Sequence, residues 1–167
     1  MTSRVLVALR VPARPQRAFA VFTGDIGRWW RPSPLFAFTP REPGVLSFEP
    51  GEGGRLVETR SNGKIFEIGQ VRVWDPPQRL VFGWRQASFA PGQDTEVEVR
   101  FDPSGADGEE TLVTVEHRGW ESVPAAHLAR HGFPDAVFLR RHAEWWQALL
   151  SALGASMSEG GNGGGAA

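Results

Sequence analysis

The stretch that decides the fold is GQVRVWDPPQRLVFGW, residues 69–84. Its first half belongs to an alternating apolar and polar pattern over residues 64–74, and its second half belongs to another over residues 80–84. Asp75-Pro76-Pro77 stands between the two, and proline cannot donate the amide hydrogen bond that a strand interior needs. The stretch therefore predicts two antiparallel strands joined by a short turn.

Outward from this hairpin, five more segments have the alternation or the β-branched content of strands. They are Arg4 to Val11, Val45 to Phe48, Arg55 to Thr59, Thr95 to Phe101 and Thr111 to His117. Turn-rich links such as Pro50-Gly51-Glu52-Gly53-Gly54 separate them. Strands that follow one another through short turns favour antiparallel pairing, so the sequence predicts a meander of about seven strands.

Helical spacing replaces strand spacing in three places. Pro15 suits the first turn of a helix, and apolar residues recur at helical spacing from there to about Thr23. Residues 28–31 have room for one or two further turns. A long amphipathic helix is predicted over residues 134–153, whereas the glycine-rich residues 154–167 are expected to be disordered.

The composition indicates one globular domain, residues 1–153, and excludes several classes of function. Lys and Arg number 18 against 19 Asp and Glu, so a formal charge of −1 offers no field that would attract nucleic acid. The absence of cysteine excludes disulfides, thiolate metal sites and a cysteine nucleophile. No phosphate-binding glycine motif or serine-nucleophile motif is present, and no cofactor is expected. No segment approaches the roughly 20 apolar residues of a membrane span, and a cytoplasmic location is expected.

Residues 69–84 also match G-x-V-x-x-W-x-P-P-x-R-L-x-F-x-W, a signature of the SRPBCC (START/Bet v-like) superfamily. Residues 95–99, TEVEV, resemble a T-x-V-x-V strand, and residues 111–120, TLVTVEHRGW, resemble a T-x-V-x-x-x-H-x-G-[FW] strand. Both strands are those of the branch similar to the C-terminal domain of the activator of heat shock protein 90 ATPase. The resemblance covers about residues 3–153, with bulky residues before Trp146 where the branch has a small one.

The resemblance implies an α+β helix-grip fold. A curved antiparallel sheet of about seven strands would wrap around the long C-terminal helix, with two short helices after the first strand. The superfamily includes carriers of hydrophobic molecules, hormone receptors, polyketide cyclases and aromatases, and co-chaperone domains. Fold alone does not choose among these functions.

The aromatic content raises the question of a cavity. The chain has seven Trp and eleven Phe but no Tyr, so its aromatic side chains add apolar volume without phenol hydroxyl groups. Rings on the inward faces of the strands and on the helix either line a ligand cavity or fill the core. The expected ligand-binding residues are Trp29, Trp30, Phe36, Phe48, Phe66, Phe82, Trp84, Phe101, His117, Trp120, Phe138, His142 and Trp145.

Two histidines are the polar candidates inside this cavity. His117 ends an inward-facing strand, and His142 lies on the apolar side of the long helix, so the two imidazoles are expected to approach each other. The alternative is that each is satisfied by a backbone carbonyl. A metal site is not expected because a third ligand is missing.

Other features leave alternatives open. Glu58 and Glu67 lie in predicted strands, and each either faces solvent or enters the interior as an acid. Residues 121–133 form either a mobile lid over the cavity or an ordered linker.

Three functions follow from these observations. The first is a binding module for a small hydrophobic or aromatic ligand, acting as a monomer or homodimer, with His117 and His142 orienting the ligand's polar end. The second is a cyclase- or aromatase-like enzyme that uses a histidine or glutamate in acid–base catalysis. The third is a co-chaperone or protein-interaction domain with a chaperone partner.

Overall fold

The computed structural model describes residues 3–33 and 35–160. Seven strands and three α-helices follow the predicted order. The strands are β1 (Arg4–Val11), β2 (Val45–Phe48), β3 (Arg55–Thr59), β4 (Ile65–Asp75), β5 (Arg79–Trp84), β6 (Thr95–Ser104) and β7 (Glu110–Arg118). The helices are α1 (Pro15–Gly24), α2 (Ile26–Trp29) and α3 (Asp135–Gly160), and short 3-10 helices lie at Ala106–Gly108, Trp120–Ser122 and Leu128–Arg130.

The strands form one antiparallel sheet in the order β1-β7-β6-β5-β4-β3-β2. Strands β2 to β7 therefore make the predicted meander, and β1 joins its far end by pairing with β7. Together with the long terminal helix, this arrangement confirms the helix-grip fold. As a result β1 and β2 are the two edges of the sheet.

In the hairpin of β4 and β5, steric contact between the two backbones requires glycine at position 69. A Cβ atom on Gly69 would lie 1.9 Å from the backbone oxygen of Gly83 on the neighbouring strand. The register between β4 and β5 also shifts between Val71 and Val73. Only glycine fits where the two backbones approach this closely, so the first residue of the signature is needed for the bend of the sheet.

The inward faces of the central strands are buried as predicted. Alternate residues of β5, β6 and β7 are at most 2% exposed and lie on the inward face of the sheet: Leu80, Phe82, Trp84, Val97, Val99, Phe101, Val113, Val115 and His117. Helix α3 meets them with Phe138, His142, Trp146 and Leu150, all fully buried. The space between the centre of the sheet and α3 is thus occupied by packed side chains.

Helix α3 is longer than the sequence pattern predicts. It continues to Gly160, so residues 154–160 of the expected disordered tail are helical, whereas residues 161–167 lie outside the described residues. Met157 is 1% exposed, and its backbone oxygen accepts a hydrogen bond from Arg17 at 2.9 Å. This buried methionine and its contact with α1 extend the helix past the last leucine of the periodic pattern.

On the convex face of the sheet, acidic side chains form ion pairs with arginines. Glu98 on β6 is 4% exposed and receives hydrogen bonds from Arg79 at 2.8 Å, Arg100 at 2.9 Å and Arg118 at 3.0 Å. Burial opposes ionisation of Glu98, but the three guanidinium groups outweigh it and lower its pKa to about 2. A buried carboxylate on this face is therefore fully compensated.

Among the described residues, no helix combines the length and the apolar character needed to cross a lipid bilayer.

Candidate functional site

A cavity of about 440 Å³ opens at the β2–β3 end of the sheet. Its walls come from α2, from the link between α2 and β2, and from β2 and β3. The lining residues are Gly27, Trp30, Pro32, Ser33, Phe36, Ala37, Phe38, Thr39, Arg41, Pro43, Gly44, Val45, Leu46 and Glu58. None of the described residues of α3 is among them.

The described part of the link over residues 31–44 has neither helix nor strand, and hydrogen bonds to two other segments anchor it. The backbone oxygen of Phe38 accepts a hydrogen bond from the amide of Ala87 at 2.7 Å. The oxygen of Pro40 accepts one from Arg60 at 3.1 Å. These contacts attach the link to the segments that follow β5 and β3, and the cavity lies beneath it.

The link returns to the sheet at a glycine. A Cβ atom on Gly44 would lie 2.4 Å from the backbone oxygen of Thr59 and 2.7 Å from Cγ of Glu58. The chain can therefore pass this close to β3 only without a side chain. The close approach forms the rim of the cavity beside Glu58.

The inner wall of the cavity is aromatic. Trp30 packs against Phe38 with ring centroids 6.0 Å apart and meets Trp146 of α3 edge-on at 5.7 Å. Phe36 stacks on Trp145 at 4.8 Å. The rings that face the cavity are thus supported from behind by the tryptophans of α3, which makes the wall rigid.

One carboxylate enters this apolar wall. Glu58 is 3% exposed and accepts a hydrogen bond from the hydroxyl of Thr39, which also lines the cavity. In the register of the sheet, Glu58 stands opposite Leu46. The two open alternatives for this glutamate are resolved, because its side chain lies inside.

A second cavity of about 360 Å³ lies on the other side of the same link. It is lined by residues 35 and 37–40 of the link, by Gln86, Ala87 and Ser88, and by Leu128, Ala129 and His131. Residues 37–39 line both cavities and form the partition between them.

The two predicted histidines do meet, within the packed interior. His142 Nε2 lies 2.8 Å from His117 Nδ1. The single hydroxyl proton of Thr95 is donated to the backbone oxygen of Trp84 at 2.7 Å, so Thr95 Oγ1, at 2.7 Å from His117 Nε2, accepts from that nitrogen. His117 therefore carries its proton on Nε2, and its Nδ1 accepts from His142 and, at 3.2 Å, from the indole of Trp146.

Both imidazoles are neutral because they are buried. Burial, and then the neighbouring His142, lower the pKa of His117 well below its usual value, and burial lowers the pKa of His142 to about 3. The backbone-carbonyl alternative is wrong for both, since side chains are their partners. Within the described part of the chain, His142 Nδ1 and the indole nitrogens of Trp84 and Trp120 are buried without a hydrogen-bond partner.

The structure thus separates the thirteen predicted ligand-binding residues into two groups. Trp30 and Phe36 line the 440 Å³ cavity. The other eleven line neither of the two cavities: Trp29, Phe48, Phe66, Phe82, Trp84, Phe101, His117, Trp120, Phe138, His142 and Trp145. Most of them belong to the packed core, and a ligand contact at these positions stays a prediction.

The predicted ligand-binding residues did not include several members of the cavity wall, among them Phe38, Thr39 and the rim residue Arg41 of the link and Leu46 of β2. The link has no periodicity, so its inward residues leave no pattern to read. For Glu58 a signal did exist, because it shares strand parity with the fully buried Leu56.

Residues 121–133 are an ordered linker beside the second cavity. Arg130 is 2% exposed, donates to the backbone oxygens of Trp120 at 3.1 Å and Val123 at 3.3 Å, and pairs with Asp135 in the first turn of α3. Its guanidinium lies 4.7 Å from the ring centre of Phe138. These contacts fix the linker to the core, which argues against the lid alternative.

The part of the chain that the structure describes contains no candidate metal site. There, no three His, Cys, Asp or Glu side chains lie close enough together to hold an ion.

Known proteins support the fold. An HSP90 activator from Plasmodium falciparum has a TM-score of 0.64 at 16% identity, covering 93% of this chain and 96% of that chain. Protein MLL2253 from Mesorhizobium loti has a TM-score of 0.62 at 17% identity, covering 93% and 97%. At these identities the likeness shows the fold alone.

A third similar structure is the anthrahydroquino-γ-pyrone synthase Txn09, which is 30% identical and covers 81% of this chain and 83% of that chain. Its TM-score is 0.49, so the similarity is not evidence for the same reaction in this chain. No functionally curated protein matches the chain significantly.

The family model described as activator of Hsp90 ATPase homolog 1-like protein matches residues 12–157. This range includes strands β2 to β7 and nearly all of α3, and it begins directly after β1. This match agrees with the resemblance in residues 69–84 and with the observed helix-grip fold. The chain therefore belongs to the family of activator of Hsp90 ATPase homolog 1-like proteins.

Proposed function

We propose that the protein binds a small hydrophobic or aromatic molecule in the 440 Å³ cavity beneath the link of residues 31–44. The observation that carries this proposal is the cavity itself, whose volume falls in the range of roughly 300–1,000 Å³ usual for small-molecule sites. Its wall combines aromatic rings and an aliphatic side chain with a few polar groups. That combination suits an apolar ligand held in one orientation.

The proposed site differs from the cavity expected between the sheet and α3. That interior is filled by the rings of α3 and by the hydrogen-bonded pair His117 and His142. The histidines are therefore assigned to the core, and Glu58 is the buried carboxyl group of the cavity wall that can orient a ligand. Shape and chemistry both favour the edge of the sheet over its centre.

A titration with prodan, a neutral naphthalene fluorophore, tests the proposal. The expected result is a saturable blue shift of its emission with a stoichiometry of one. Leu46→Phe adds bulk to a cavity wall residue that is 4% exposed, and it is expected to weaken binding at least fivefold. The matched control is Leu6→Phe on β1, since Leu6 is 57% exposed at the opposite edge of the sheet.

Absence of saturable binding, or equal weakening by both substitutions, would contradict the proposal. Equal weakening would place the fluorophore somewhere other than this cavity.

A cyclase- or aromatase-like enzyme is the second candidate, and Glu58 is the observation that favours it. A carboxylate that is buried in an apolar cavity can remove a proton from a carbon next to a carbonyl group. His117 and His142 are not suited to this step, because each lies outside the two cavities.

Deuterium exchange of the methyl protons of 2-acetonaphthone in D2O, followed by NMR, tests this candidate. The wild type should accelerate exchange, and Glu58→Gln should abolish the acceleration while the ketone still binds. Equal exchange with both proteins would contradict the enzymatic candidate, and ligand binding would remain as the proposed function.

The chaperone partner, the cytoplasmic location and the choice between monomer and homodimer stay predictions. No feature of the described residues favours one answer for any of them.

A further inference from the structure

Glu58 differs from the other buried carboxylate of the sheet. Glu98 is bound by three arginines on the convex face. Glu58 is equally buried, at 3% exposure, yet within the described part of the chain no Lys, Arg or His nitrogen lies within 4 Å of it. The hydrogen bond recorded for its carboxylate in that part is the one from the hydroxyl of Thr39.

This arrangement is unfavourable unless something else approaches the carboxylate. A buried carboxylate needs a counter-charge or several hydrogen bonds, and one hydroxyl supplies a single bond. A carboxylate has about four acceptor positions on its two oxygens. Glu58 lines the cavity, so the remaining positions are accessible from the cavity.

The aromatic rings around Glu58 further restrict the class of ligand that the cavity can bind. Trp30, Phe36 and Phe38 line the same cavity as the carboxylate. Aromatic faces next to an anionic group attract an organic cation through the ring quadrupole, and they also accept an apolar body. Among the described residues of the lining, the basic side chain is Arg41, which is exposed at the rim, where water screens its charge.

We propose that the ligand of this cavity is an apolar molecule carrying one hydrogen-bond donor group, an ammonium or a hydroxyl, that binds to Glu58 beside Thr39. The inference rests on the proposed binding function and adds the ligand class. Anionic molecules of the same shape are excluded, because their charge would be brought next to a carboxylate without a counter-ion. Glu58 is then the residue that determines specificity.

Four ligands of matched shape test the inference by displacement of prodan at pH 7. They are 2-naphthylmethylamine, 2-naphthalenemethanol, 2-ethylnaphthalene and 2-naphthoate. The amine or the alcohol should bind about tenfold more tightly than 2-ethylnaphthalene, as expected for a hydrogen bond to a charged group, and 2-naphthoate should bind most weakly. Tighter binding of the amine identifies an ammonium ligand, and tighter binding of the alcohol identifies a hydroxylated one.

Glu58→Gln should reduce the preference for the donor-bearing ligand to within about twofold of 2-ethylnaphthalene. This substitution keeps the shape of the side chain and an oxygen for Thr39. The matched control is Glu67→Gln on β4, a half-buried glutamate outside the lining of the two cavities, and it should keep the preference.

The possible failures are distinct. Equal binding of all four ligands, or an unchanged preference in Glu58→Gln, overturns the assignment of Glu58 while the binding function stands. If none of the four ligands and no prodan binds, the binding function fails and the ligand class fails with it.

Discussion

Acidification from pH 7 to pH 5 should destabilise the protein by about 4 kcal/mol through its two core histidines. Burial lowers the pKa of both His117 and His142, to about 3 for His142, whereas the unfolded chain titrates near the usual value of 6.5. Below pH 6.5 the unfolded state therefore binds protons that the folded state does not. Stability is complete above that pH and falls as the pH decreases, by about 2 kcal/mol for each imidazole at pH 5.

Carboxylates contribute little over the same interval. Their unfolded pKa values lie near 4, and the pKa of Glu98 is lowered in the folded state, so its stabilisation is lost only at more acidic pH. The drop between pH 7 and pH 5 thus reports mainly the buried imidazoles. A loss of 4 kcal/mol is a large part of the 5–15 kcal/mol that is typical of a domain.

Urea unfolding at the two pH values measures this effect. His142→Phe retains an aromatic ring among Phe36, Phe138 and Trp145, and it should lose only about 2 kcal/mol between pH 7 and pH 5. Leu6→Ala, which replaces an exposed side chain that does not titrate, is the control and should lose as much as the wild type. The reasoning is refuted if the wild type loses less than about 1 kcal/mol, or if His142→Phe loses as much as the wild type.

Three further substitutions test the packing. Gly69→Ala should destabilise the protein by more than about 2 kcal/mol in urea unfolding, because its methyl group would overlap the backbone of β5. Met157→Ala should cost about 2–5 kcal/mol if the last turns of α3 belong to the core, and a cost below about 0.5 kcal/mol would contradict the helical end. Trp146→Phe should cost about 1 kcal/mol beyond its loss of volume, because His117 Nδ1 loses the hydrogen bond from this indole. Trp145→Phe is the comparison, since the Trp145 indole donates a longer and only partly buried hydrogen bond, of 3.4 Å, to the backbone oxygen of Arg31.

The order of elements was predictable because local patterns carry it. The bounds of β1, β2 and β3 agree with the sequence prediction, and those of β4 to β7 agree within a few residues. The meeting of His117 and His142 followed from strand parity and helical spacing. Met157 and the end of α3 were not predictable, since its contact with α1 is made only in the folded chain.

The cavity was harder to predict than the fold. Aromatic rings in a sequence indicate apolar volume, but whether they enclose space depends on how helix and sheet pack. Here the rings of α3 fill the centre, and space remains beneath a link without periodic structure. Glu58 could have been placed by parity with Leu56, whereas the approach of Thr39 from the link could not.

The most direct test of the central claim is a ¹H–¹⁵N spectrum of the tryptophan indoles during titration with 2-naphthylmethylamine. Trp30 lines the proposed cavity, whereas Trp84 and Trp120 lie in the packed interior with the histidines. The account predicts a saturable shift of the Trp30 signal, assigned with Trp30→Phe, and much smaller changes at the other two. A larger shift at Trp84 and Trp120, or no saturable shift at Trp30, would contradict it.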